Sequence, residues 1–494
     1  MPPLSRRNAL LLGGLGLAGT AAGGAGLWWS LRTDQSPVTG EPLRQPETLG
    51  SSGGRLEASL EAAPGRFALG GRLAGALGYN GGTPGPTLVL SPGDVLKLRL
   101  GNKLADPSNL HLHGLHVSPL GNGDNVFLTV NPGRSLDYEY RLPPDHPPGL
   151  YWYHPHHHGG VADQVFAGLF GAIIVRDRGP APAGTDRVLL VSDTTLDGAG
   201  NVAGTSTADR MAGREGNLLL VNGQANPRLT ARPGERERWR IVNCCVARYL
   251  RLRLDGQKLQ LLGMDSGRYG RPPDVQEVLL APGNRAELLV TAALGRSVLR
   301  ALPYDRGTMT MMAGRGSAAQ DAGDPSGTAL ATLDVEGGRA SPAPVVAAAG
   351  AAPPDLRSAV VAARRQLVLG TPMGSGMGGG PGPGMGMAGF TINGLRFDEL
   401  RTDTVVAAGT VEEWVLVNRS FMDHPFHLHI WPMQLIAEND RPVEGTILRD
   451  VVNVPANGQC TVRIAFRDFS GRSVYHCHIL DHEDLGMMGV IEVR

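Results

Sequence analysis

Fourteen histidines occur in the 494 residues, and all of them fall in three stretches: 111–116, 146–158 and 424–482. Within these stretches they recur as His-x-His, at His111/His113, His154/His156, His427/His429 and His476/His478. In an extended chain residues i and i+2 project to one face, so each pair aims two imidazoles the same way. A single exposed pair would mean little. Four pairs supply eight neutral nitrogens, a donor set that suits copper, zinc, iron or nickel. The segment HCHILDHEDLGMM sets Cys477 inside the last pair and adds His482 and Met487 after it. With His424 arriving from a neighbouring strand, two imidazoles, one thiolate and one weak thioether make the ligand set of a blue-copper electron-transfer site. His476 and His478 face away from Cys477, so that one residue links two kinds of metal site through covalent bonds.

What positions these residues is a threefold repeat. PTLVLSPGDVLKLRLGNKL with NLHLHGLHV, LLLVNGQANPRLTARPGERERWRIVNCCVARYLRLRLDG, and FTINGLRFDELRTDTVVAAGTVEEWVLVNRSFMDHPFHLHIWP share one pattern. Each has an extended stretch, a Pro/Gly turn, a strand ending in Asn, and an alternating strand. Each closes with a turn and further strands: VNPGRSLDYEYRLP, LAPGNRAELLVTA and VPANGQCTVRIAF. Repeats of this length are domains, and alternation between turn signals at this spacing predicts an all-β chain of three cupredoxin-like Greek-key β-sandwich domains. Superposition lays His427-Leu428-His429 on His111-Leu112-His113, and His476-Cys477-His478 on His154-Pro155-His156. The matching run of the second repeat is Leu252-Arg253-Leu254, so that domain keeps the scaffold without the ligands. The two terminal domains must therefore share one site.

The expected divisions are 1–30 as a signal segment, 31–54 as a flexible linker, 55–177 as domain 1 and 185–337 as domain 2. An Ala/Pro linker and Met/Gly-rich loop follow at 338–389, and domain 3 occupies 390–494. Lys+Arg and Asp+Glu both number 46, and no basic block or acidic tail marks a nucleic-acid or polyanionic partner. Ser5-Arg6-Arg7 followed by the uncharged run Asn8–Ser30 resembles a twin-arginine export signal, directing the protein to the periplasm, the envelope or the outside. No membrane segment is expected in the mature form unless that run is kept as an anchor. Cys244 and Cys245 read as core residues of a strand, and a disulfide at Cys460 stays open.

HLHG, HPHHHG, HPFHLH and HCHxxxHxxxGM resemble the four signature motifs of multicopper oxidases, with bacterial laccases and copper-efflux oxidases closest in pattern. The resemblance covers nearly the whole chain after the signal. It implies four coppers: type 1 on His424, Cys477, His482 and Met487; type 2 on His111 and His427; and a type 3 pair on His113, His154, His156, His429, His476 and His478. The family's HWHG tryptophan is Leu112 here and the glycine after HPFHLH is Ile430; neither change removes a ligand. His116, His146, His157 and His158 are expected at the surface or behind the ligands.

The implied reaction is one-electron oxidation of donors coupled to four-electron reduction of O2 to water. It needs protons, and Glu483 matches the acid serving that role in copper-efflux oxidases, while Asp124 falls near the family's acid at a water channel. Cu(I) and phenols are the candidate donors, in a protein expected to be monomeric. Met373, Met377, Met385 and Met387 are soft thioethers that could gather Cu(I) or be incidental to a linker, and Met309, Met311 and Met312 raise the same question. Copper-efflux oxidases place an acid and a methionine before the first type 1 histidine; Met422 matches the methionine, Ser420 stands at the acid position, and the adjacent Asp423 should point the other way. An exposed type 1 histidine would accept electrons with little substrate recognition, which keeps phenols open. The alternative is an exported copper-sequestering protein of the same fold without oxidase turnover.

Overall fold

Alternation decides the elements. In Val95–Asn102 the buried Leu96, Leu98 and Leu100 interleave with exposed Lys97 and Arg99, the period of a strand with one face on a core. Three strands of this kind, Val95–Asn102, Arg236–Asn243 and Val411–Asn418, hold the same place in three sheets. Each pairs parallel with an earlier strand, respectively Arg55–Leu69, Thr185–Thr194 and Ala363–Gly370. Each also pairs antiparallel with a later one, respectively Ser135–Arg141, Arg285–Thr291 and Gln459–Ala465. A second, five-stranded sheet faces each of them, and the apolar side chains between form three separate cores around Leu98, Trp239 and Trp414. The chain is thus all-β, in three cupredoxin-like sandwiches. This computed structural model describes residues 37–179, 184–307, 326–341, 353–371, 389–446 and 448–494. The signal segment and Met309, Met311, Met312, Met373, Met377, Met385 and Met387 lie outside the described residues.

Two strands fall in stretches that the sequence assigns to linkers. Thr48–Gly50 pairs parallel with Thr87–Leu90, and Ala363–Gly370 joins the third domain's sheet. Thr48–Gly50 is too short to alternate. In Ala363–Gly370 the charged first half is half exposed, so only Leu367 and Leu369 report a core.

The asparagine that ends each central strand is a clamp. Asn102, Asn243 and Asn418 are all buried. Each Nδ2 donates to two backbone carbonyls or more: Asp106 and Val130, Arg248 and Leu280, and Met422, Val454 and Pro455. Each Oδ1 accepts the backbone N–H two residues on, from Leu104, Cys245 and Ser420. A buried amide satisfying otherwise unpaired backbone groups pins the corner and sets where the following strand begins.

That next strand differs with position. Leu250–Leu254 in domain 2 alternates buried leucine with more exposed arginine. His111–His113 and His424–Leu428 are buried throughout, because domains 1 and 3 close on one another there. Among the described residues no helix is long and apolar enough to cross a membrane.

Candidate metal centre

The four histidine pairs meet in the register of two antiparallel strand pairs. His111 lies opposite His154 in domain 1, and His427 opposite His476 in domain 3. Across the domain interface His111 stacks on His429 and His113 on His427, ring centroids 3.9 Å apart in each case. The two halves therefore face each other with approximate twofold symmetry. All eight rings are buried.

Three groupings follow from the ring nitrogens. The Nε2 atoms of His156 and His429 each lie 3.1 Å from Nε2 of His476. His478 Nε2 is 3.3 Å from His113 Nδ1, with His154 in the same cluster. His111 and His427 face one another Nε2 to Nε2 at 3.4 Å. A fourth grouping sits beyond the strand: His424 Nδ1 is 3.3 Å and His482 Nδ1 3.9 Å from Cys477 Sγ. Met487 is buried beside them, its backbone carbonyl accepting from Cys477 N–H and its N–H donating to the His482 carbonyl.

The outer nitrogens fix the tautomers. His427 Nδ1–H donates to the Asp450 carbonyl (2.8 Å), His476 Nδ1–H to the Cys477 carbonyl (3.0 Å) and His154 Nδ1–H to the Pro155 carbonyl (2.8 Å). Their Nε2 atoms are therefore lone pairs. With Asp124 accepting from His111 Nδ1, the 3.4 Å contact between His111 and His427 sets lone pair against lone pair, an arrangement that a cation between them relieves. His154 Nε2 and His482 Nε2 are buried without a hydrogen-bond partner. Burial and mutual repulsion hold His111, His113, His154, His427, His429 and His478 well below the usual histidine range, so they stay neutral and ligand-competent. Burial pushes the Cys477 thiol up; a bound cation is what would make it a thiolate. These donors fit copper, while a further close set, His113, His427 and Asp450, is hydrogen-bonded rather than open.

Besides Asp450, two carboxyl groups abut the histidines. Asp124 lies with both oxygens 3.0 Å from His111 Nδ1, accepts Leu112 N–H at 3.0 Å, and stands 3.9 Å from His429 Nδ1. Glu483 approaches His476 Nδ1 at 3.1 Å and His156 Nδ1 at 3.5 Å without a well-directed hydrogen bond. Burial raises each to about 7, against the Leu112 N–H in one case and His156 in the other.

Around Cys477 the expected open edge is missing. His424 and His482 are both fully buried. Phe390 stacks on His482 at 4.0 Å, and Ser420 Oγ lies 2.8 Å from His424 Nε2, so the hydroxyl at the acid position caps the imidazole. Met422 is buried, and Asp423 turns away to accept from Tyr304, Asn453 and Ala456. His146 is buried, His116 and His157 half-buried, and His158 exposed. All four cysteines are unpaired, with Cys244 and Cys245 in the cores and Cys460 Sγ near the Asn453 carbonyl.

The sequence reading missed Asp450, whose carbonyl and carboxylate hold His427 and His113, and Arg285, which pairs with it. The signal was a lone acid ahead of an apolar run in LRDVVNV, invisible without its partners. Phe390 also escaped, as a single aromatic at the edge of the Met/Gly-rich loop.

Three sandwiches with cysteine-bridged histidine clusters define a copper-dependent oxidoreductase. The chain matches the multicopper oxidase family over residues 64–180, 175–301 and 380–494, and it belongs to that family. It is similar to a Campylobacter jejuni multicopper oxidase described as a metallo-oxidase, at 31% identity and TM-score 0.81 over 93% of this chain and 96% of the other. It also resembles an Ochrobactrum laccase-like multicopper oxidase, CueO, with activity towards lignin model compounds and lignosulfonate, at 25% identity and TM-score 0.74 over 92% and 100%. The Staphylococcus haemolyticus multicopper oxidase mco is 26% identical over 435 residues, 85% of this chain and 84% of the relative.

Proposed function

We propose that the protein couples one-electron oxidation of four donor equivalents to four-electron reduction of O2 to water. The carrying observation is the facing of the His111 and His427 lone pairs within a buried cluster of eight imidazoles. In this reading His424, Cys477, His482 and Met487 hold type 1 copper, and His111 with His427 type 2. His113, His154 and His478 hold one type 3 copper, and His156, His429 and His476 the other. Bound copper would supply single-electron exchange at the thiolate end and a pool of four electrons at the histidine end. Cys477 and its two neighbours give the shortest covalent path between these ends. Glu483 and Asp124, poised by burial near neutrality, hold the protons that water formation consumes.

Both Cu(I) and phenols serve as donors in this proposal, the named activities of the two solved relatives being a metallo-oxidase and an oxidase of lignin model compounds. Neither type 1 histidine is exposed, and Phe390 and Ser420 against them are themselves buried, so donors deliver electrons through the side chains on the Phe390 or Ser420 side. Met373, Met377, Met385 and Met387 lead up to Phe390 in sequence and would gather Cu(I) there, in the service of copper tolerance. The protein acts after twin-arginine export, as a monomer divided as the repeats suggest.

Oxygen uptake with Cu(I) and with a phenol, before and after deleting residues 371–389, tests this. A blue protein that consumes oxygen with both, and loses only Cu(I) oxidation on deletion, is expected. Unchanged kinetics would make the loop a linker. A colourless copper-loaded protein that consumes no oxygen would leave the copper-sequestering reading.

A further inference from the structure

Among the described residues domain 2 supplies none of the eight histidines, yet its turn at Gly283 reaches the cluster. The turn that opens its strand Arg285–Thr291 brings Gly283 over His478: a Cβ there would stand 2.8 Å from Nε2 and 2.9 Å from two ring carbons. Two residues on, Arg285 is buried, and its guanidinium grips both oxygens of Asp450, with NH2 to Oδ2 at 2.8 Å. Its Nε donates to the Leu150 carbonyl at 3.1 Å. Ser266, also of domain 2, donates to Asp450 Oδ2 at 3.0 Å. Asp450 belongs to domain 3, and its Oδ1 accepts from Nε2 of His113 in domain 1 at 2.9 Å. All three domains meet at this carboxylate.

The consequence lies in the His113 tautomer. A carboxylate held by a guanidinium accepts a hydrogen bond from Nε2–H, which keeps the ring proton on Nε2 and leaves Nδ1 as the lone pair. His113 is the one histidine of the eight that presents Nδ1 to its neighbours, at 3.3 Å from His478 Nε2. The other rings show Nε2 in every inter-histidine contact of that kind. The space for the ion pair comes from the residue after His113: Gly114, at φ 84°, would place a Cβ 2.4 Å from Arg285 NH2 and 2.7 Å from Asp450 Oδ2.

We infer that domain 2 is the positioning element of one metal of the cluster, the one held by His113, His154 and His478, acting through Arg285 and Ser266 on Asp450. Arg285 fixes the carboxylate in a bidentate grip; Asp450 fixes the ring and proton of His113; Gly283 closes the space behind His478. The assignment rests on the ligand reading above, and it makes Arg285 a positioning residue for copper that it never touches. A lysine there keeps the charge and loses the fork.

The test uses the full-length copper-loaded protein and the variants Arg285→Lys and Ser266→Ala. Copper per chain, the blue thiolate band and the near-ultraviolet absorption of the coupled copper pair are read beside turnover. For Arg285→Lys the blue band and the far-ultraviolet circular dichroism should be unchanged. The coupled-pair absorption and turnover should fall about tenfold or more, the range expected when the group orienting a ligand is lost. Ser266→Ala should shift the same two readouts in the same direction and less. If Arg285→Lys does not fold, Ser266→Ala alone decides. Coupled-pair absorption, copper content and turnover at wild-type level in the folded variants would overturn the inference. A wild-type protein lacking the coupled-pair absorption would instead overturn the ligand reading itself.

Discussion

A carboxyl group surrounded by imidazoles and cut off from water is reluctant to ionise, and Glu483 and Asp124 both sit in that position. They differ in what holds them. Asp124 accepts a backbone N–H and supports His111, whereas Glu483 has no well-directed partner and is freer to give up its proton. Glu483→Gln should therefore lower oxygen turnover by about a hundredfold or more and leave the blue band in place; steady-state oxygen uptake beside the visible spectrum decides it, and turnover within a factor of about two would sink the proton role. His146 shows the opposite case, an imidazole built to stay neutral. Its Nδ1–H donates to the Pro147 carbonyl while Nε2 accepts His116 N–H, and burial lowers it to about 4 from 6.5. Because the folded value is the lower one, its share of stability is complete above pH 6.5 and is lost as pH falls towards 4. The buried ligand histidines act in the same direction, so the difference between variants is the quantity to read. In copper-free protein, denaturant unfolding of His146→Gln should lose less stability than wild type over that interval, by at most about 3 kcal/mol. Parallel pH profiles would contradict it.

At the scale of elements, the short helix Leu480–Asp484 distributes its residues to four destinations. Asp481 takes the buried Arg214 of domain 2, and His482 faces Cys477. Glu483 reaches His156 and His476, and Asp484 accepts the backbone N–H groups of Gly159, Val161 and Ala162 in domain 1. The turn of a helix is what lets four consecutive side chains diverge so far. The asparagine clamps show the complementary economy, one device used three times. Asn418→Ala and Asn243→Ala each strand buried carbonyls and should each cost about 3 kcal/mol in denaturant unfolding. Only the first should disturb the blue band, since Asn418 Oδ1 also holds Ser420, the cap on His424. Equal spectra for the two variants would break the link from clamp to His424.

In the whole molecule, domains 1 and 3 press two sets of lone pairs together, and the cost of that closure is offset by whatever cation they share. Metal removal should therefore lower the melting temperature, because a ligand bound only by the native state stabilises it by mass action. Calorimetry of copper-loaded and chelated protein should show a difference of several degrees or more; identical melting curves would mean that the interface closes without copper. Domain 2 contributes none of the eight histidines, so its transition should be the least altered.

Spacing along the chain was enough for the three sandwiches and for the four His-x-His faces. Those features depend on strand periodicity and on comparing the chain with itself, both of which are local. The strands Thr48–Gly50 and Ala363–Gly370 were not legible, because they earn their place by pairing with a sheet edge and carry little alternation of their own. Nor could spacing tell that His424 and His482 are covered, or that His113 presents Nδ1. That choice is made by Asp450, 337 residues away, and by Arg285 of domain 2, which grips it. The residues capable of holding copper are thus written in short motifs. Which nitrogen each offers, which carboxyl stays protonated and which ring stays covered depend on the dielectric and the partners around it, and these exist only once the three domains have closed.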